Sequence, residues 1–128
     1  MARQCHWSNA LTISTHRLVP IPSSFFLFGQ EIVVEYTDRL IDNEDAVGMS
    51  LYRRNIIQIQ KNNQGIVRPQ TQIESTFFHE LMHYVFFMLG KEDLRKDEDL
   101  VDVIGRLLHQ AFMTAEYNEE ILEGKKNE

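Results

Sequence analysis

Hydrophobic positions three or four residues apart predict a long helix in the second half of the chain. They are Ile73, Phe77, Leu81, Val85 and Met88. Residues 71–74, Thr-Gln-Ile-Glu, have the form of a capping box two residues after Pro69, and Gly90 is a natural stop. We therefore expect a helix from about this box to the residues just before Gly90.

A second helix is predicted by the same spacing further along the chain. Its apolar positions are Val101, Ile104, Leu108, Ala111 and Ala115. We expect it to start between Asp93 and Asp97 and to run to about Glu119, with acidic residues at the positive end of the helix dipole.

The first half of the chain has the pattern of strands. Residues 25–36 are rich in aromatic and β-branched residues and read as one strand, in which Gly29 suggests a bulge or a point of close approach. Residues 47–52 and 55–60 lie on either side of the pair Arg53-Arg54, which predicts a hairpin with its turn at the two arginines.

These elements predict an α+β domain, in which a small antiparallel or mixed sheet of about three strands packs on two long helices. We expect a poorly defined N-terminal arm at 1–22, the domain itself at 23–120 and a polar tail at 121–128. Between the strands and helices, residues 42–45 read as a solvated acidic loop and residues 62–65 as a turn.

Composition narrows the class of protein. The chain of 128 residues is 43% hydrophobic, carries a formal net charge of -6 and contains one cysteine, Cys5. An acidic domain repels phosphate backbones, so nucleic-acid binding is not expected. No apolar run is long enough to cross a bilayer, no secretory signal is readable, and one cysteine allows no internal disulfide, so we expect a cytoplasmic protein without membrane contacts.

The chemistry of the chain is concentrated in the first predicted helix. His79-Glu80-Leu81-Met82-His83 fits the pattern H-E-x-x-H. Histidines four residues apart lie on one helix face, so both imidazoles can reach one Zn²⁺ ion. Glu80 then lies beside the metal, where it can accept a proton from water as a general base. The alternative without a metal site is a histidine pair on the solvated face of a helix.

A hydrolytic zinc site needs a third protein ligand and an open fourth position. Glu98 lies 15 residues after His83, far enough for a reversal at Gly90 and a return. Asp102 is four residues further on the same face and could fix the tautomer of His79 as a hydrogen-bond acceptor. Gly105 continues this face and would allow a close approach of the two helices. His109 is the rival third ligand.

This pattern, His79-Glu80-x-x-His83 followed by Glu98-x-x-x-Asp102, resembles that of the gluzincins. The strand-then-helix layout resembles the ImmA/IrrE-like minimal metallopeptidases, especially their small stand-alone versions in phages and prophages. The resemblance covers roughly residues 25–117 and implies a zinc-dependent peptidase that acts on a peptide or protein substrate. It departs from that family at Val101, which occupies a position where many members have a small residue.

The sequence leaves two points open. An oxyanion donor could be any of several residues. The candidates are Tyr36, Tyr52, Tyr84, His16 and His109. The alternative functions are a non-catalytic metal- or partner-binding regulatory module and a nucleic-acid-associated protease that resembles the SprT-like proteins. The latter use histidine as the third ligand, so the acidic composition and the presence of Glu98 count against that alternative.

Overall fold

The computed structural model describes residues 17–118, and within them four strands form a mixed sheet. The strands are β1 (Ser24–Leu27), β2 (Gln30–Thr37), β3 (Gly48–Leu51) and β4 (Ile56–Gln60). Their order across the sheet is β1-β2-β4-β3, with β2 parallel to β4 and the other two pairs antiparallel. The α+β class, the mixed sheet and the two long helices are confirmed, with one strand more than expected.

The additional strand comes from residues 25–36, where the prediction of one bulged strand is wrong. Phe28 and Gly29 both adopt positive φ, 49° and 76°, and they turn the chain between β1 and β2. Two successive residues with positive φ are typical of a tight hairpin turn, because its twist matches that of the strands. The turn expected within residues 62–65 is formed by Gln64 and Gly65, which connect the short antiparallel strands β5 (Asn62–Asn63) and β6 (Ile66–Val67).

The prediction of an acidic loop at residues 42–45 is also wrong, because most of these residues lie in a short helix, α1 (Leu40–Glu44). The side chain of Gln60 anchors this helix, since its Oε1 accepts hydrogen bonds from the backbone N–H of Leu40 at 2.7 Å and of Ile41 at 3.3 Å. The helix ends at Asp45, which is left-handed at φ 51°. Local composition predicted exposure here, whereas the long-range contact with Gln60 determines the conformation.

Three helices follow the sheet: α2 (Gln70–Met88), α3 (Glu92–Arg95) and α4 (Glu98–Thr114). The prediction of a capping box is wrong, because α2 begins after Pro69 and has no side-chain cap. Glu74, the last residue of the predicted box, is fully buried. The predicted stop is confirmed by Gly90, at φ +69°. Asp97 caps α4 by accepting from the Leu100 N–H, as its predicted start allows, but the helix ends at Thr114 because Ala115 is extended.

The core lies between the sheet and α2. Its buried side chains include Ile32, Ile57, Ile59, Ile73, Phe77, Phe78 and Tyr84. Val19, from the predicted arm, is buried among them, and the backbone N–H of Arg17 donates to the Met113 carbonyl at 3.2 Å. Residues 1–16 and the polar tail at 121–128 lie outside the described residues. No helix between residues 17 and 118 is long and apolar enough to cross a membrane.

Candidate metal centre

Helix α2 presents both histidines of the motif to the N-terminal end of α4. The rings of His79 and His83 have their centroids 4.9 Å apart, as expected for residues one turn apart on one helix face. Gly105 allows α4 to approach at this level, because a Cβ there would lie 3.1 Å from the backbone N of His79. The close approach expected from the sequence is therefore present, and any larger residue at 105 would push the helices apart.

Glu98 lies between the two imidazoles. Its Oε1 is 3.2 Å from Nε2 of His79, and its Oε2 is 3.2 Å from Nε2 of His83. One ligand atom from each of the three residues falls within 4.8 Å of the others. Two atoms bound to one tetrahedral zinc ion at about 2.0–2.1 Å are roughly 3.3 Å apart, and the two nitrogen–oxygen distances of 3.2 Å are close to this value. The three residues predicted as ligands are thus brought together.

The remaining nitrogens of both rings have acceptors, which orients the imidazoles. Nδ1 of His83 donates to the Arg95 carbonyl at 2.9 Å. Nδ1 of His79 lies 3.4 Å from Oδ1 of Asp102, the residue expected from the sequence at this place. With a proton on Nδ1, the Nε2 lone pair of each ring would be directed at the point between the histidines and Glu98. This is the arrangement typical of metal-binding histidines.

The carboxylate of Asp102 is itself held by Arg106. Its Oδ2 accepts from Nη2 at 2.7 Å and from Nε at 2.9 Å. The Arg106 guanidinium, one turn along α4, lowers the pKa of Asp102 below its ordinary value, and His79 adds to this effect. Asp102 therefore remains an ionised acceptor for His79 over the neutral pH range.

Glu80 is buried against β3 beside the histidines, with 7% of its surface exposed. The Ser50 hydroxyl donates to its Oε1 at 2.8 Å. Burial raises the pKa of Glu80 above its ordinary value, while the Ser50 hydrogen bond and the nearby imidazoles act in the opposite direction. A carboxylate fixed at one oxygen and desolvated in this way is suited to accept a proton at the other oxygen.

The sequence analysis assigned no role at Glu80 to the two β3 residues that lie against it. Besides Ser50, Gly48 matters because a Cβ there would come within 2.6 Å of Cγ2 of Thr76 and 3.0 Å of Oε2 of Glu80. Residues 48 and 50 lie on the same face of the strand, which faces α2. Two small residues at alternate strand positions ahead of a helix that carries H-E-x-x-H were the available signal.

The candidate oxyanion donors are widely separated. Tyr84 is fully buried and donates to the Leu51 carbonyl at 2.9 Å, and burial raises its pKa to about 12. Tyr36 lies on β2 beneath Lys61, at 5.9 Å from Nζ to the ring centroid. Of the four candidates in the described part of the chain, Tyr52 alone lines the cleft at the histidines. His16 lies outside the described residues.

His109, the rival third ligand, is directed away from the histidines of the motif. Its Nε2 lies 2.9 Å from Oε1 of Glu74, and its ring stacks on Phe78 at 5.6 Å between centroids. Both side chains of the pair are almost completely enclosed, at 9% and 0% exposure. The geometry therefore favours Glu98 over His109 as the third ligand.

The candidate metal centre lines a cleft of about 600 Å³ between β3 and the helices α2 and α4. Strand β3 is the outermost strand on this side of the sheet, so its free edge borders the cleft. Comparison of the chain with protein-family models, curated proteins and solved structures found no match. The resemblance to ImmA/IrrE-like metallopeptidases therefore rests on the motif residues, and the argument for function rests on the geometry of this cleft.

Proposed function

We propose that the protein is a zinc-dependent metallopeptidase that hydrolyses peptide bonds in a peptide or protein substrate. The observation that supports this most directly is the convergence of Nε2 of His79, Nε2 of His83 and the carboxylate of Glu98. Two imidazoles and one carboxylate are a donor set that zinc prefers in hydrolytic sites, where a fourth position stays open.

The side chains around this point have separate roles. When bound, zinc supplies Lewis acidity to a water molecule and to the scissile carbonyl. Glu80, held at Oε1 by Ser50, takes the proton of the water at Oε2 and later delivers it to the leaving amine. Asp102 and the Arg95 carbonyl keep the two imidazoles in place. Tyr52 is the candidate hydrogen-bond donor to the developing oxyanion.

The position of β3 supports a peptide as the substrate. Its residues 48–50 line the cleft along the free edge of the sheet. An extended peptide can add to such an edge through backbone hydrogen bonds, which would place a peptide bond across the metal centre.

The test combines metal content with turnover. Wild-type protein purified from zinc-containing medium should bind one zinc ion per chain, and the His79→Ala and His83→Ala variants should lose most of it. Glu80→Gln should retain zinc and lose hydrolysis of a casein-derived peptide mixture by about 10²- to 10⁴-fold, since a general base contributes on this scale. Glu31→Gln, at an exposed position on β2, is the matched control and should retain both properties.

The possible outcomes separate the alternatives. A wild-type protein that holds no metal would refute the proposal. Stoichiometric zinc without hydrolysis, and without a difference between wild type and Glu80→Gln, would indicate the non-catalytic metal-binding module. Hydrolysis that persists in excess chelator would exclude zinc as the catalytic group.

A further inference from the structure

Positive side chains cluster at one end of the cleft, although the chain as a whole has a net charge of -6. Arg95 and Lys96 line the cleft itself. Arg53 and Arg54, in the turn between β3 and β4, line an adjoining pocket. The two pockets share the side chains of Ser50 and Tyr52. We refer to these four basic residues as the basic end.

Contacts between β3 and α2 show where this end lies. The start of β3, at Gly48, faces Thr76 and Glu80, whereas Leu51 at its end accepts a hydrogen bond from Tyr84. The strand therefore runs in the same direction as the helix. The turn with Arg53 continues from Leu51, so the basic end lies beyond His83 and the opposite end lies at Gly48.

Arg95 is held in a fixed position within the basic end. Its guanidinium carbon lies 5.1 Å from the Tyr52 ring centroid, in a cation–π arrangement, and 22% of its side chain is exposed. Glu92 contacts Arg95 at 3.1 Å and Lys96 at 3.2 Å, so one carboxylate offsets two cations. One positive charge of Arg95 and Lys96 is therefore not offset by an ion pair, although residues 91–99 as a whole carry five acidic and three basic side chains.

The two turn arginines supply most of the unpaired positive charge at the basic end. Arg53 and Arg54 are exposed, and neither forms an ion pair with any residue from 17 to 118. The opposite end is lined by Ala46, Val47 and Gly48 and adjoins the acidic residues at 42–45. A bound chain would therefore meet positive charge beyond one side of the metal centre and neutral or negative surface beyond the other.

We propose that the cleft selects substrates with acidic residues on one fixed side of the scissile bond, the side that lies over the basic end. This inference rests on the proposed peptidase function and specifies its substrate class. Carboxylates there would pair with guanidinium groups in a partly desolvated cleft. A nucleic acid fits less well, since its long phosphate backbone would extend over the acidic remainder of the surface.

Binding to a catalytically inactive form tests the selection directly. Three fluorescein-labelled pools of random ten-residue peptides, with Glu, Gln or Lys fixed at alternate positions, are titrated into zinc-loaded Glu80→Gln protein. We expect the Glu pool to bind about tenfold more tightly than the Gln pool at low salt, and the difference to shrink at about 0.5 M NaCl. The Arg53→Glu/Arg54→Glu variant should abolish the preference, while the exposed Arg39→Glu control should keep it.

Cleavage of the same pools by the wild type gives an independent readout, since mass spectrometry should find acidic residues enriched on one side of the cut only. Equal affinity for the Glu and Gln pools in a protein that binds zinc and cleaves peptides overturns the selection and leaves the peptidase standing. Absence of zinc and of cleavage overturns the peptidase, and the selection with it. Displacement of the Glu pool by single-stranded DNA at lower concentration than by unlabelled Glu peptide identifies a nucleic-acid surface instead.

Discussion

Helices α2 and α4 are joined by two sets of imidazole–carboxylate contacts in opposite surroundings. The cleft cluster consists of His79, His83 and Glu98, with nitrogen–oxygen distances of 3.2 Å and a Glu98 side chain that is 67% exposed. The buried pair consists of His109 and Glu74, at 2.9 Å, and is almost fully enclosed. The two sets share the same residue types and the same two helices, but the cleft cluster is exposed to solvent and the buried pair is surrounded by packed side chains.

This difference separates a site from a structural contact. The cleft cluster offers three groups that could bind one metal ion, and they line an open cleft. The buried pair offers one imidazole and one carboxylate, and Oε2 of Glu74 has no hydrogen-bond partner among the described residues. A buried polar contact of this kind fixes how two helices pack, since each group needs the other. The lesson is that exposure and ligand number, rather than residue type, distinguish the two.

The largest expected effect concerns the buried pair. In the metal-free protein, His109→Leu should lower the free energy of unfolding by about 3–5 kcal/mol, because it leaves the Glu74 carboxyl enclosed without a partner. The double variant Glu74→Leu/His109→Leu should recover much of this loss, since no unpaired polar group remains. Urea denaturation monitored by circular dichroism measures both. Additive losses in the double variant would show that the pair contributes only by packing.

The matched substitution in the cleft cluster should cost far less. His79→Leu in chelator should change the free energy of unfolding by no more than about 1 kcal/mol, because the exposed Glu98 carboxylate stays hydrated. A loss as large as that of His109→Leu would contradict the distinction between a site and a structural contact.

When zinc is added, the gain in stability should depend on the cleft cluster and not on the buried pair. At a free zinc concentration about 1,000 times the dissociation constant, binding should stabilise the wild type by about 4 kcal/mol. His83→Ala should abolish the shift, whereas the double variant of the buried pair should retain it once folded. Thermal unfolding with increasing free zinc measures both. If the stabilisation by zinc were lost in the double variant of Glu74 and His109 but retained in His83→Ala, the ion would bind at the buried pair instead of the cleft cluster.

The parts of the fold that the sequence predicted are those set by local periodicity. The two long helices follow from apolar spacing, and Gly90 and Asp97 end and begin them as expected. Two of the wrong predictions concern long-range contacts, whereas the missed turn at Phe28 and Gly29 is a local feature. The helix at 40–44 depends on Gln60, twenty residues away, and Glu74 fitted a capping box by pattern although it is buried against His109. Neither partner can be recognised from neighbouring residues.

The residues of the candidate site also include some that local geometry predicts and some that depend on long-range contacts. Placement of His79 and His83 on one face follows from helix geometry alone, and Glu98 was reachable by counting residues through the reversal. The contribution of β3 was not predictable in this way, because it depends on which strand forms the edge of the sheet beside α2. Ser50 reaches Glu80 only because the order β2-β4-β3 places the last strand there.

A smaller effect on zinc affinity is expected for Asp102, which contacts the proposed ligand His79 but is not itself a proposed ligand. Asp102→Asn should lower zinc affinity by about 10- to 100-fold, because the acceptor that orients His79 is weakened while all three ligands remain. Asp99→Asn, at an exposed position in the first turn of α4, is the control and should leave affinity unchanged. Competition with a fluorescent zinc chelator measures both. Equal losses in the two variants would mean that helix-terminal charge, and not contact with His79, sets the affinity.

The smallest effect expected on zinc binding or catalysis is that of Ser50→Ala, which removes the hydroxyl that holds Oε1 of Glu80 at 2.8 Å. One hydrogen bond is worth about 0.5–1.5 kcal/mol, so kcat for peptide hydrolysis should fall by roughly 2- to 12-fold with zinc content unchanged. Ser23→Ala, at an exposed position before β1, is the control. Because Ser50 touches the base and none of the ligands, a parallel fall in zinc content would show that the substitution moves β3 as a whole rather than freeing the Glu80 carboxylate.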